Sequence, residues 1–388
     1  MAGNDLAYAL GIYSTRDKRA KELKAQGKKI IGYFGCYPPV ELITALGLVP
    51  YRIVGDTKEP ISRADSHIET NVCSFVRSCF ELALKGRYDF LNGVIIPHSC
   101  DAIERLYDIW RYYWKSGPTY FLNVPHILHQ QSYSFFHMEL LSLRQSLEEL
   151  AGKRLQTEDL ADSIRLHNEN RALLRSLYRL RVPDPPLMSG TEAIKVALSA
   201  IALPVTEGNE MLKSIISEVS ERREYQPSRT RVLFYGGQID DAALVDIIED
   251  CGANVVMDDL CTTARWFWRD VDLDGDPMHN LCQHYLDHIM CPRTLRQGES
   301  HISELENRFG HLNRYATEFN VTCAIAHTMR LCDTFEFDVP DLEAYMAEHK
   351  LPLLNLEVDY NLGNVEQLRT RIEAFLEVVA TGVMQSKE

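Results

Sequence analysis

Apolar and polar positions along this chain follow two alternating rhythms. Short β-branched, apolar runs at residues 30–34, 49–54, 90–96 and 120–124 have the pattern of strands buried on both faces. Between them, apolar residues recur at helical spacing over 38–46, 66–85 and 101–114. Pro38 and Pro39 open the first of these segments and Gly47 follows it, while Gly86 closes the second. A polar, basic surface helix over 8–29, ending near Gly27, precedes them all. From about 135 the strand pattern stops, and helical periodicity covers 135–151, 157–180, 190–202 and 207–224. The only hard break there is Val182-Pro183-Asp184-Pro185-Pro186. Alternation resumes with strands at 231–237, 254–257, 321–326 and 353–357. Among these lie helices over 238–250, 339–349 and 364–380 and a helix-rich stretch over 278–319. A βαβα rhythm of this kind predicts parallel sheets with helices on both faces. The expected organisation is an α/β domain over 1–134, a helical connecting region over 135–228 and a second α/β domain over 229–388, the two doubly wound domains facing one another.

Composition narrows the function. A length of 388 residues, 45% hydrophobic and 25% charged, is ordinary for a two-domain globular chain. The net charge of −14 argues against a nucleic-acid surface, which needs concentrated Lys and Arg. No run of about 18 apolar residues suggests a membrane span. The first residues lack the basic and apolar regions of a secretory signal, so a cytoplasmic location is expected. No G-x-G-x-x-G, P-loop, G-x-S-x-G or H-E-x-x-H is present, and Gly236-Gly237 is only a weak phosphate-loop signal. Any ATP hydrolysis would therefore belong to another chain.

The ten cysteines carry the strongest signal. With no Cys-x-x-Cys among them, zinc ribbons, thioredoxin-like sites and the ferredoxin run are set aside. Cys36, Cys100 and Cys332 each follow a short apolar strand and precede a helix, where α/β sheets place their ligands. Three thiolates in that context suggest an iron–sulfur cluster with one iron left open. Cys261, at another strand end, is a reserve ligand. Cys73 and Cys79 fall in the first half of the 66–85 helix, and a later helix start would favour a thiolate at Cys73. Cys251 and Cys323 read as small buried hydrophobes, whereas Cys282 and Cys291 have no strand-end context. His98, beside Cys100, is the candidate proton donor. His284 and His288, one turn apart, lack a third zinc ligand and read as a half-exposed helix face.

The run Ile31-Gly32-Tyr33-Phe34-x-Cys36-Tyr37-x-Pro39-x-Glu41-Leu42, the Ser99-Cys100-Asp101 and Cys332-Asp333 turns, and the ending Leu351-Pro352-Leu353-Leu354-Asn355-Leu356-Glu357-Val358-Asp359-Tyr360 resemble the 2-hydroxyacyl-CoA dehydratase D-component and benzoyl-CoA reductase family, in particular its smaller cluster-bearing subunits. The resemblance covers essentially the whole chain. It implies two flavodoxin-like domains with a 4Fe–4S cluster between them, held by Cys36, Cys100 and Cys332 with an open iron. It also implies a larger paralogous partner subunit and a separate ATP-hydrolysing iron–sulfur activator that delivers low-potential electrons. Cys73, Cys79 and Cys261 exceed a three-ligand set, so a double-cubane cluster stays open. The expected activity is reduction of an aromatic acyl-CoA of the benzoyl-CoA type. The runner-up is dehydration of a 2-hydroxyacyl-CoA, and a third reading is an electron-relay or structural subunit that never touches substrate. Arg52, Arg63, Arg77 and Arg265 are candidates to hold the CoA phosphates.

Overall fold

The computed structural model describes residues 5–222, 227 and 229–382. Strands β1 (Ile30–Tyr33), β2 (Val49–Arg52), β3 (Gly93–Pro97) and β4 (Thr119–Leu122) form one parallel sheet in the order β2-β1-β3-β4. Strands β5 (Thr230–Gly236), β6 (Ala253–Asp259), β7 (Cys323–Met329) and β8 (Leu353–Val358) form a second in the order β6-β5-β7-β8. Both have the flavodoxin-like order, in which the chain first steps one way from its opening strand and then returns past it. That reversal leaves a crevice at the carboxyl ends of β1 and β3, and another at those of β5 and β7.

Neighbouring residues of one strand serve opposite cores. Ile31, Tyr33 and Ile95 face a core with helices Val40–Ala45, Gln130–Ala151 and Pro277–Asp287. Ile30, Val94 and Ile96 face another with Lys18–Ala25, Ser74–Leu84 and Asp101–Tyr113. This is why β1 and β3 read as unbroken apolar runs: both faces are covered. The second sheet repeats the arrangement, with Leu233 and Tyr235 on one side and Val232 and Phe234 on the other.

Several expected helices change their bounds. The basic segment is two helices, Asp5–Ser14 and Lys18–Ala25. Leu6, Ala9 and Ile12 of the first pack into the core of the second sheet, so its apolar residues have a distant partner that local periodicity could not reveal. The helix expected over 66–85 is Ser74–Leu84, preceded by a short 3₁₀ turn at Ala64–Ser66, because the buried Glu81 carboxylate draws the N–H groups of Ser62 and Ala64 to itself (3.1 and 2.8 Å). The helix expected over 207–224 is Val205–Ser220; residues 223 and 224 lie outside the described residues. The 278–319 stretch resolves into Pro277–Asp287 and His301–Glu318. Although it lies late in the chain, the first of these packs on the first sheet.

Candidate metal centre

Six cysteines converge where the carboxyl ends of the two sheets meet, and they fall into two groups of three. Cys36 leaves β1 through Gly35, whose φ of +64° makes the turn that a side chain would strain. Cys261 follows β6, its N–H donating to the Gly237 carbonyl at 3.1 Å. Cys291 follows helix Pro277–Asp287. The Cys36 and Cys291 thiols both lie near the Cys261 sulfur. Their interaction with it, together with the nearby Arg265 and Arg52 cations, holds Cys261 well below the usual thiol range. Conversely, the interaction with Cys261 and burial push Cys36 and Cys291 up.

The second group is Cys73, Cys100 and Cys332. Each occupies the residue before a helix: Ser74–Leu84, Asp101–Tyr113 and Asp333–Glu336. None of the three sulfurs accepts a full capping hydrogen bond. The N–H groups of Phe75 and Val76 nevertheless favour the Cys73 thiolate, and those of Ala102 and Ile103 the Cys100 thiolate. Burial outweighs them, pushing Cys73 up to about 12 and raising Cys100 and Cys332. Cys332 lies within electrostatic reach of Cys73, Cys100 and Cys261, so the two groups adjoin.

Of the residues singled out in the sequence, Cys100 and Cys332 thus share one group, while Cys36 belongs to the other. Cys79 is buried one helical turn and more beyond Cys73 and belongs to neither. Cys323 is buried inside β7, Cys282 donates to the Tyr133 carbonyl at 3.3 Å, and Cys251 caps the end of Ala243–Asp250. His98 Nδ1 faces Asn123 Oδ1 at 3.0 Å, and its Nε2 faces both His126 and Glu104 at 3.2 Å. Arg63 and Arg77 are occupied elsewhere, by the Leu84 carbonyl and by Asp65. Gly236 serves packing, since a Cβ there would come within 2.7 Å of the His327 carbonyl.

Sequence reasoning missed Cys291 and Arg293. The one local signal was Cys291-Pro292, a cysteine before proline just past a helix end, much as Cys36 stands two residues before Pro38.

Among the described residues, no three His, Cys, Asp or Glu side chains could hold a single metal ion. Thiolates that ligate different corners of a cluster stand further apart than ligands of one ion. The charges test that idea independently. Arg52 is buried, yet donates only to Gln238 Oε1 (2.8 Å) and the Cys261 carbonyl (3.3 Å). Arg293 is buried with only the Val124 and Pro125 carbonyls (2.8 and 2.9 Å) and the Thr294 hydroxyl (3.3 Å). Arg265 donates to Cys261 Sγ at 3.1 Å and to Asp259. The Nε of all three is buried without a partner. Arg52 and Arg293 are thus guanidiniums among neutral acceptors, which is costly unless an anion completes them. A thiolate-held iron–sulfur group, whose charge the protein must balance, fits both the donor set and this excess of cations. A cavity of about 50 Å³, lined by Tyr33, Cys36, Arg52, His167 and Trp266 among others, adjoins the first group.

The fold and site thus define a class: a doubly wound α/β protein with thiols gathered at the carboxyl ends of two sheets. Residues 36–379 match the family described as 2-hydroxyglutaryl-CoA dehydratase, D-component, and the chain belongs to that family. It is 27% identical to a benzoyl-CoA reductase subunit of Thauera aromatica, covering 91% of each chain. It is 24% identical to the (R)-phenyllactyl-CoA dehydratase beta subunit of Clostridium sporogenes, covering 92% of this chain and 94% of the relative. It is 26% identical to the putative dehydratase subunit YjiM of Escherichia coli (strain K12), covering 92% and 93%. By name, the first two relatives are subunits of a CoA-thioester reductase and a CoA-thioester dehydratase, and the third of a putative dehydratase. Among the described residues no helix is long and apolar enough to cross a membrane.

Proposed function

We propose that this chain is the iron–sulfur subunit of an oxygen-sensitive acyl-CoA reductase acting on an aromatic thioester of the benzoyl-CoA type. The observation that carries the reading is the convergence of six free cysteines on three buried, incompletely partnered arginines. Iron held by thiolates, with one position left open, supplies one-electron reduction and Lewis acidity together. The chain's own residues supply the rest. Arg52, Arg265 and Arg293 balance charge, and burial of Cys36 and Cys291 keeps water from the reduced site. His98, fixed by Asn123 and facing His126 and Glu104, is the side chain we assign to proton handling. The implied partners are a larger paralogous subunit and an ATP-hydrolysing activator, in the cytoplasm.

The grouping of cysteines also favours a specific form of the cofactor. Two adjoining groups of three are one ligand set for each of two cubanes, so we read the site as a paired or bridged cluster rather than one cluster on Cys36, Cys100 and Cys332. The dehydratase reading remains the runner-up, supported by the relatives' names. It predicts redox-neutral turnover with only catalytic electron donor.

Iron and acid-labile sulfide after strictly anaerobic purification test both points. About eight of each per chain supports the paired form, and about four supports the single cluster. No iron in a folded chain sinks the assignment.

A further inference from the structure

The two thiol groups are compensated unequally. Arg265 is fully buried at its side chain and is clasped between the rings of Tyr235 and Phe335 (5.5 and 5.4 Å). From there one nitrogen reaches Cys261 Sγ at 3.1 Å, while the other is held by the Asp259 carbonyl and carboxylate at 2.8 and 3.1 Å. Asp259 is itself fixed by His311 at 3.0 Å. Arg52 adds a second buried cation behind the same cysteine, donating to its carbonyl. Among the described residues, no side-chain cation bonds a sulfur of the Cys73, Cys100 and Cys332 group: the buried Arg293 bears on Cys100, and Arg77, paired with Asp65, on Cys73, only at a distance. Arg330, the charged neighbour of Cys332, is well exposed and paired with Glu357 at 3.2 Å. Exposure does not separate the groups, since Cys36, Cys73 and Cys291 are buried and Cys100, Cys261 and Cys332 partly buried, so the difference lies in the cations.

Hydrogen bonds to sulfur and nearby positive charge both favour the more negative, reduced state of iron held by thiolates. We infer that Arg265, seconded by Arg52, makes the Cys36–Cys261–Cys291 half the more easily reduced half of the centre. This rests on the paired-cluster reading. Arg265 is a positioning and tuning residue that acts through the Cys261 sulfur; the Tyr235–Phe335 clasp and Asp259 fix its direction.

The test is a redox titration of the anaerobically purified protein with a low-potential one-electron reductant, followed by electron paramagnetic resonance, with iron measured on each sample. Wild type is compared with Arg265→Met, Arg265→Lys, Arg52→Met and, as a control, Arg330→Met. At unchanged iron content, Arg265→Met is expected to shift the first reduction to lower potential. Arg265→Lys, which keeps the charge with poorer aim, should shift less, Arg52→Met less than Arg265→Met, and Arg330→Met not at all. An unshifted Arg265→Met with full iron overturns the inference, as does an equal shift in Arg330→Met. Loss of iron from both Arg265 variants while the fold is retained also overturns it, because the arginine would then hold the centre rather than tune it. Wild type with no iron, or about four per chain, instead defeats the paired-cluster reading itself.

Discussion

Behind the two thiol groups lie different kinds of interior. The Cys73–Cys100–Cys332 side rests on aromatic packing: Phe34 meets Phe75 and Trp110 edge-on at 6.5 and 5.4 Å, and Trp110 continues to Tyr88 and Trp114. The Cys36–Cys261–Cys291 side rests on buried polar groups. Glu41, five residues after Cys36, pairs with the buried Arg171 and accepts from Tyr285 at 2.8 Å. It thereby ties the Cys36 turn to the helix that leads to Cys291. The comparison shows two ways to fix a cysteine. Aromatic packing holds position through shape and tolerates small losses, whereas a buried ion pair holds it through partners that must all be present.

That contrast is sharpened first at the ligands. With about eight irons per chain in wild type, Ala at Cys261 or at Cys100 is expected to cost roughly half of them, and colorimetric iron assays on both variants check whether the groups load separately. Glu41→Ala should come next. It strands the Arg171 charge in the interior and is expected to cost about 3–5 kcal/mol in chemical denaturation. The aromatic side should resist better per contact. Trp110→Ala leaves a cavity worth about 3–5 kcal/mol, but Trp110→Phe should recover much of it, while no neutral replacement of Glu41 does the same.

Acid gives the comparison a direction. Although burial alone would raise it, Arg171 and His167 bring the folded Glu41 carboxyl down to about 2. Because the folded value is depressed, its contribution is present above the unfolded value near about 4.3 and is lost as pH falls toward about 2. Stability measured between pH 5 and pH 2 should therefore fall less steeply in Glu41→Gln than in wild type. The smallest effect belongs to Cys251→Ser, at a helix end away from both groups. It is expected to stay within about 0.5 kcal/mol and leave iron unchanged.

The strands were legible because those of a doubly covered sheet are apolar throughout, and 30–34, 90–96 and 231–237 stand out for that reason. Cys36, Cys100, Cys261 and Cys332 were legible as strand-end thiols because topology places every such end on one side of its sheet. The late start of helix Ser74–Leu84 was not, since it depends on a carboxylate reaching back across the loop. Cys291 was hidden for a similar reason. Its position comes from a helix whose apolar face, Leu281, Tyr285 and Leu286, meets the other sheet. Arg52 and Arg265 drew attention as phosphate binders, whereas the structure buries both beside Cys261, one on its carbonyl and the other on its sulfur.

The exchange of helices between the halves has a mechanical consequence. Asp5–Ser14 begins the chain yet completes the core of the second sheet, and Pro277–Asp287, from the later half, completes that of the first. Each half is thus laced through the other like two hands with fingers crossed. A hinge swing that parted the sheets would have to pull apolar helices out of their cores. Traffic to and from the cysteines must then pass through gaps between side chains, with the frame staying shut.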